Sequence, residues 1–530
     1  MTLATLVLLS LSALAASARG ASADGMLRAK GKMIVDGQDR PVLLRGVNLG
    51  NWIVTEGYLF RLEGGYDRAS KIYSLTKSLA GKDYSDKYWP EYRKRYMTET
   101  DIKEIAACGF NSVRVPLHYS LFTGDGAEGF NLIDSLLGWC RKYGLYVILD
   151  LHCAPGGQTG TSIDDDENEK PELWSNDANK AQTVAIWKSI AGRYAEEDIV
   201  AGYDLLNEPI PEQFNKYNNE LVPLYKTIIA AVRSVDQKHM IFIEGANWAS
   251  NFSMFTEPLD KNIVYSFHKY WNDNKKSEID PYLRISDAQD VPLWCGETGE
   301  NSNQWYANCT QLFEDYGISW CFWPWKKLDA ANSPRTVIVP DSFEPVIGYT
   351  RGGKMPDEKQ TRKAFDDLLS AVACDKCKKN VEVVNSLFRN IPGTVEAENF
   401  GYRGEGVSYH DDSAKNEGGA FRTESGVDIQ TNGYSVGWTA DGEWMDYDIN
   451  STAQKSYDVE FRVASPTSDG QFRLEVDGKD VTGPVSVMNT GDWQNWETIV
   501  KKGVSIPAGS HKIRFFIIQG GFNVDYFRFK

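Results

Sequence analysis

The stretch VAGYDLLNEPIPE (residues 200–212) runs mainly apolar, turns polar at Asn207 and Glu208, and is stopped by Pro209. A strand that reads as buried yet ends in an amide and a carboxylate needs a reason, because a buried glutamate is costly unless it is paired or does chemistry. Seven further runs of this kind recur between about residues 27 and 372: VLLRGVNL (42–49), NSVRVPL (111–117), YVILDLH (146–152), HMIFIEGA (239–246), IVYSFHKY (263–270), VPLWCGE (291–297) and ISWCFWPW (318–325). The segments between them are long enough for a helix, which is the pattern of βα units around a parallel sheet. Eight such units predict an α/β chain whose first domain is a (β/α)8 barrel with insertions.

In that fold the chemistry gathers where strands end, at the C-terminal face. The polar residues follow this rule: Arg45 and Asn48 on the first run, Arg114 and His118 on the second, His152 after the third, Asn207 and Glu208 after the fourth. Glu244 and Asn247 follow the fifth, His268 and Tyr270 the sixth, Glu297 the seventh, and Trp323 lies on the eighth. Glu208 and Glu297 therefore face each other across the mouth. Paired carboxylates are the tool for cleaving glycosidic bonds: one protonates the leaving oxygen while the other, ionised, attacks the anomeric carbon. A separation of about 5–5.5 Å would give retained configuration and about 6.5–9.5 Å inversion.

The 530-residue chain exceeds what one core usually fills, and its 42% hydrophobic and 25% charged residues suit an ordinary globular protein. A formal charge of −16 argues against nucleic acid and suits a neutral ligand. The 16 Trp and 26 Tyr supply flat faces of the kind sugar rings stack on. No GxxxxGK[ST], GxGxxG or HExxH motif is present, so phosphoryl transfer, dinucleotide redox chemistry and zinc proteolysis lose their usual support, and no cofactor is expected for catalysis.

The opening 23 residues carry an apolar run followed by small residues and read as a secretory signal peptide, too short to span a bilayer. A secreted protein, extracellular or in a cell wall and without a membrane span, is expected. In that compartment eight cysteines permit disulfides, one of them expected at Cys374/Cys377. Sequons at Asn251, Asn308 and Asn450 mark glycosylation sites. The acidic run Asp164 to Glu167 reads as a solvated loop.

The barrel is expected over 24–372 and a connector over 373–390. From Ile391 to Lys530 short alternating strands and Gly, Asn and Asp turns predict an all-β jelly-roll sandwich.

Within the barrel, RVP at Arg114, DLHCAPGGQ from Asp150, NEP at Asn207, HKY at His268 and GET at Gly296 occur in order at successive strand ends. Together they look like glycoside hydrolase family 5. The resemblance implies retention, with Glu208 as acid/base and Glu297 as nucleophile. It implies that Asn207 holds the sugar 2-hydroxyl, Arg114 and Tyr270 steer the nucleophile, His152 and His268 line the catalytic subsite, and Trp323 is its stacking platform, with Trp325 as the second choice. LLRGVNLGNWIVTE and YMTETDIKEIAACGFNSVRVPLHY are similar to the fungal exo-β-1,3-glucanases, in which the residue matching Glu56 binds hydroxyls at the non-reducing end. The chain departs from that group at Asn51 and in CFWPWKKLDAANSP.

The tail, with VEAENF, SVGWTADGEWMDYDI, NTGDWQNWET and GGFNVDYFRFK, looks like a family 6 carbohydrate-binding module. That resemblance implies a structural calcium held by Glu396, Glu398 and Asp525, and a sugar site of Trp438, Trp493 and Asn523. The expectation is a monomeric β-glucan hydrolase of exo-β-1,3 type. An endo-β-1,4-glucanase or mannanase, a transglycosylase, and a non-catalytic wall protein are the alternatives.

Overall fold

The computed structural model describes residues 25–124, 127–166 and 168–530. The expected leader and Glu167 lie outside them. The chain divides into two compact units between Phe388 and Arg389.

In the first unit β1 (Arg45–Asn48), β2 (Ser112–His118), β3 (Tyr146–Cys153), β4 (Val200–Asp204), β5 (Met240–Glu244), β6 (Ile263–Lys269), β7 (Leu293–Gly299) and β8 (Ser319–Trp323) close into a parallel barrel. They pair in chain order, and β8 returns to hydrogen-bond with β1. All residues of β2 through β8 are buried, as strands covered on both faces must be. That burial explains why their sequences read as continuous apolar runs rather than as alternation.

The cover is helical. α1 (Ala69–Ala80), α2 (Lys82–Tyr96) and α3 (Glu99–Ala107) fill the first connection; α4 (Ala127–Tyr143), α5 (Asp177–Tyr194), α6 (Asn218–Arg233), α7 (Lys276–Gln289) and α8 (Asn303–Asp315) follow later strands. On α4 the buried Leu132, Ile133, Leu136, Leu137 and Cys140 recur at three- and four-residue spacing and so form one stripe. Each such aliphatic side chain contributes about 1.5–3 kcal/mol on burial. α3 starts at a capping box, Thr98 with Asp101. After β8 the strands β9 (Lys326–Leu328) and β10 (Arg335–Val337) pair, and α9 (Glu358–Ala371) follows. Within 373–390, α10 (Val381–Phe388) belongs to this unit: Thr310 on α8 donates to the Leu387 carbonyl, and the Phe388 ring packs on Phe110 and Trp320.

Three expectations need correction. The acidic run is not a solvated loop: Asp164 and Asp166 are buried, Asp164 accepting from the Thr159 amide at 2.6 Å and Asp166 pairing with Arg68 at 2.8 Å, partners that adjacent like charges need for their burial. The eight cysteines are all free thiols. Cys140, Cys153, Cys295, Cys309 and Cys321 sit inside α4, β3, β7, α8 and β8, where they pack as small hydrophobes, and the Cys377 thiol donates to the Ala373 carbonyl at 3.4 Å rather than bonding Cys374. Of the sequons, Asn308 is buried on α8 and leaves no room for a glycan, whereas Asn251 and Asn450 are half-buried.

The second unit is a β-sandwich. One sheet carries β12 (Trp444–Ser451), β16 (Gly509–Gln519) and β14 (Gln471–Val476); the other carries β11 (Gly393–Glu396), β17 (Asn523–Phe529), β13 (Lys455–Ala464) and β15 (Glu497–Ile506) in that order. β11 and β17 pair antiparallel and bring the two ends of the unit together. The core between the sheets is aromatic, with Phe461, Phe472, Phe515 and Phe527 fully buried and Phe472 stacked on Phe515 at 4.6 Å.

Candidate active site

At the end of β4 the chain leaves the sheet in a tight turn. Glu208 and Ile210 adopt left-handed φ values of 45° and 52°, a conformation that costs about 1 kcal/mol or more for a side-chain-bearing residue. The turn is held because the Glu208 amide donates to Glu244 Oε2 at 2.6 Å and the Ile210 carbonyl accepts from the Asn247 amide. Its effect is to aim Glu208 into the mouth. Across from it Glu297, near the end of β7, follows Gly296; a Cβ there would lie 2.6 Å from Ser266 Oγ and 3.1 Å from His268 Nε2. Glycine at 296 is what lets β6 and β7 bring His268 and Glu297 together.

Arg114 is the hub. Fully buried on β2, its guanidinium donates to Glu297 (2.6 Å), Asp204 (2.9 Å), Asn207 (2.8 Å), Glu244 (3.1 Å) and Asn48 (3.2 Å), and lies 3.2 Å from Asp150. Only a planar fork with five donors reaches so many acceptors. Tyr270 hydroxyl donates to the second oxygen of Glu297 at 2.7 Å. The carboxylate is thereby fixed on both sides.

His268 Nδ1 lies 2.7 Å from Glu208 Oε1 and 3.7 Å from Glu297, and Nε2 is 3.2 Å from Glu244. Burial works against its charge, but Glu244, Glu297 and Glu208 outweigh burial and raise it well above the usual histidine range, so it is an imidazolium. Glu244 is pushed up by burial, yet the charges of His268 and Arg114 hold it below the usual glutamate value. His152 behaves oppositely. Burial depresses it to about 4, leaving a neutral ring whose Nδ1 meets Asp150 at 2.8 Å and which stacks parallel to Trp323 at 5.6 Å. Asp150 itself is raised by burial to about 8.

The donor atoms of Glu208, His268 and Glu297 all fall within 4.8 Å of one another. That spacing would also admit a cation. Glu56 is 4% exposed in the same chamber, raised by burial and then by Glu297 and Glu208. Every barrel residue expected in the site, Glu56, Arg114, His152, Asn207, Glu208, His268, Tyr270, Glu297 and Trp323, therefore comes to this mouth. Trp325 does not: it is fully buried and donates to Asp101. Asn48 and Glu244, placed at strand ends by the sequence but given no role, and Asp150 and Asp204, likewise given none, complete the network around Arg114.

In the sandwich, Trp438 and Trp493 are 56% and 44% exposed. Asn523 is buried and donates to the Trp493 carbonyl at 2.8 Å; a Cβ on Gly437 would lie 2.9 Å from its Oδ1. The two tryptophans thus flank one amide, and Trp438 holds a left-handed φ of 50°. Burial and the neighbouring Asp525 push Glu396 up to about 7, and Asp525 is raised by burial despite Arg462 at 3.1 Å. Among the described residues, Glu396, Glu398 and Asp525 do not bring three oxygens within 4.8 Å. A buried glutamate raised further by a neighbouring aspartate nevertheless fits a cation.

The family model "Cellulase (glycosyl hydrolase family 5)" matches residues 74–329, and "Carbohydrate binding module (family 6)" matches 416–530. A "Probable glucan 1,3-beta-glucosidase A" of Aspergillus fumigatus is 30% identical over 296 residues, 52% of this chain and 69% of that protein. A "Beta-xylosidase" of Phanerodontia chrysosporium is 30% identical over 299 residues, 52% of this chain and 61% of its own length. "Endoglucanase C" of Acetivibrio thermocellus is 25% identical over 312 residues, 45% of this chain and 87% of that one.

Proposed function

The chain belongs to glycosyl hydrolase family 5, and on that premise we propose that it is a retaining β-glucan hydrolase of exo-β-1,3 type that works outside the cell. The observation that carries the reading is the pair Glu208 and Glu297, with oxygens within 4.8 Å and His268 between them. So close an approach agrees with the narrow carboxylate spacing of retaining enzymes rather than the wide one of inverting enzymes, which supports double displacement. Glu297, held by Arg114 and Tyr270, attacks the anomeric carbon as Glu208 gives its proton to the departing oxygen. Water then enters on the leaving-group side, Glu208 takes its proton, and the new C–O bond releases Glu297. A sugar hydroxyl in place of that water would give transglycosylation.

Incubation with laminarin, carboxymethyl-cellulose, mannan and pustulan, with product chromatography, tests the specificity. Glucose alone from laminarin is expected. A ladder of oligosaccharides from another polymer would replace the linkage and the exo action, and absence of turnover on all four would favour a binding protein.

The sandwich is a glucan-binding module gripping sugar between Trp438 and Trp493, which raises local substrate concentration. Trp438→Ala and Trp493→Ala should each weaken retention on insoluble glucan by about tenfold, or ~1.4 kcal/mol, as seen by affinity electrophoresis. Retention equal to wild type in both would remove the site.

Calcium would be held by Glu396 and Asp525 with Glu398, and would neutralise carboxylates that otherwise repel. A glutamate whose folded pKa is raised to about 7 carries its proton in the folded state after the unfolded chain has lost it. Without metal, stability of the module should therefore fall as pH rises from about 4.5 to about 7, and added Ca2+ should flatten that slope. Melting curves with chelator and with calcium read this directly; identical curves would dismiss the ion.

A further inference from the structure

A second set of charged groups beside the mouth takes no part in the double displacement. Glu56 Oε1 is buried with no protein partner. After burial, the charges of Glu297, Glu208, Glu300 and Lys327 act on Glu56. Lys327 Nζ donates to Glu300 Oε2 at 2.6 Å, with side chains only 9% and 16% exposed. The same ammonium sits 5.7 Å over the Tyr58 ring. The Tyr58 hydroxyl, half exposed at the rim, accepts from Trp323 Nε1 at 2.7 Å and stands 3.5 Å from Glu300.

These residues come from three neighbouring units of the barrel. Glu300 directly follows β7, Lys327 lies on β9 just after β8, and Glu56 and Tyr58 follow β1. Because β7, β8 and β1 are consecutive around the barrel, the ion pair bridges adjacent loops along the Trp323 side of the mouth. Glu300 holds a left-handed φ of 54°, a strained conformation that a loop without a fixed role would relax. A mostly buried ion pair also resists parting, since either charge alone would lie unpaired.

We propose that Glu300 and Lys327, backed by Tyr58, form the end wall of the glycone site. The wall stops the chain one sugar beyond the scissile bond and leaves Glu56 Oε1 to receive a hydroxyl of that terminal sugar. This rests on the hydrolase reading and adds what decides exo action. The space a second glycone sugar would need is filled by the ion pair, so only the non-reducing terminal residue can be seated productively.

The test uses the full-length protein with nitrophenyl β-glucoside, β-laminaribioside and β-cellobioside. Wild type should free glucose first from each disaccharide donor, with nitrophenol appearing after a lag. Glu300→Gln combined with Lys327→Met removes both charges while leaving none unpaired. It should raise the ratio of intact disaccharide to glucose among first products at least tenfold. A merely structural pair would change rates but not that ratio. Should the double variant fail to fold, Lys327→Gln carries the same readout. Direct release of disaccharide by wild type, or an unchanged ratio in a folded, active variant, overturns the wall alone. No product from any donor with wild type overturns the hydrolase reading and the wall with it.

Discussion

Glu297→Gln is expected to lower kcat on any productive glycoside by on the order of 10^4-fold or more, with the fold intact. The amide fills the same space, keeps one oxygen for Arg114 and turns its NH2 to the Tyr270 hydroxyl, which can accept, but it carries no charge to attack the anomeric carbon. An aryl β-glucoside with a good leaving group makes the measurement sensitive. Glu297→Ala and Glu208→Ala separate the roles further, because each opens a cavity that azide can enter. Azide replacing the nucleophile should yield the inverted glycosyl azide. Azide entering beside an intact glycosyl-Glu297 should yield the retained one. Residual turnover by Glu297→Gln above a tenth of wild type would strip Glu297 of its role.

Arg114→Met should destabilise the barrel by about 3–5 kcal/mol and abolish activity. The side chain has almost the right volume, so little is lost in packing. What is lost is the one buried cation that contacts Asp150, Asp204, Glu244 and Glu297 together. Without it Glu244 loses a charge that holds it ionised, and Asp150 and Asp204, already raised by burial, lose the charge that opposes that rise, so the cluster takes up protons or drives local unfolding. Arg114→Lys should rescue little, since an ammonium is a point charge with three donors and cannot span acceptors on five strands. Denaturant unfolding of the barrel unit checks the prediction; a loss below about 1 kcal/mol would mean that the histidine network carries the charge balance instead.

The eight strands were legible because a parallel strand covered on both faces leaves a local mark: a short apolar run, bounded by turns, at the right spacing. The candidate residues were legible for a related reason, since the fold sends chemistry to strand ends and the polar residues stood there. The sandwich showed itself by alternation, and Trp438 and Trp493 by their Gly- and Asp-rich settings. The thiols and the Asn308 sequon misled because compartment and motif say nothing about burial. Asn308 satisfies the sequon pattern and is nevertheless packed on a helix.

Determined by sequence alone, then, were the order of the elements, the kind of fold, and which residue types arrive at the mouth, all consequences of short-range pattern. Tertiary structure decided which atoms meet. Arg114 and Glu297 are 183 positions apart and Arg114 and Asp204 are 90 apart, yet one guanidinium holds both. The Lys327 to Glu300 bridge, the left-handed turn at Glu208 and the approach of Glu208 to Glu297 likewise arise only when the barrel closes. The physical reason is that closure sets the register and tilt of eight strands together, and distances between side chains on different strands follow from that joint geometry rather than from any one stretch of chain.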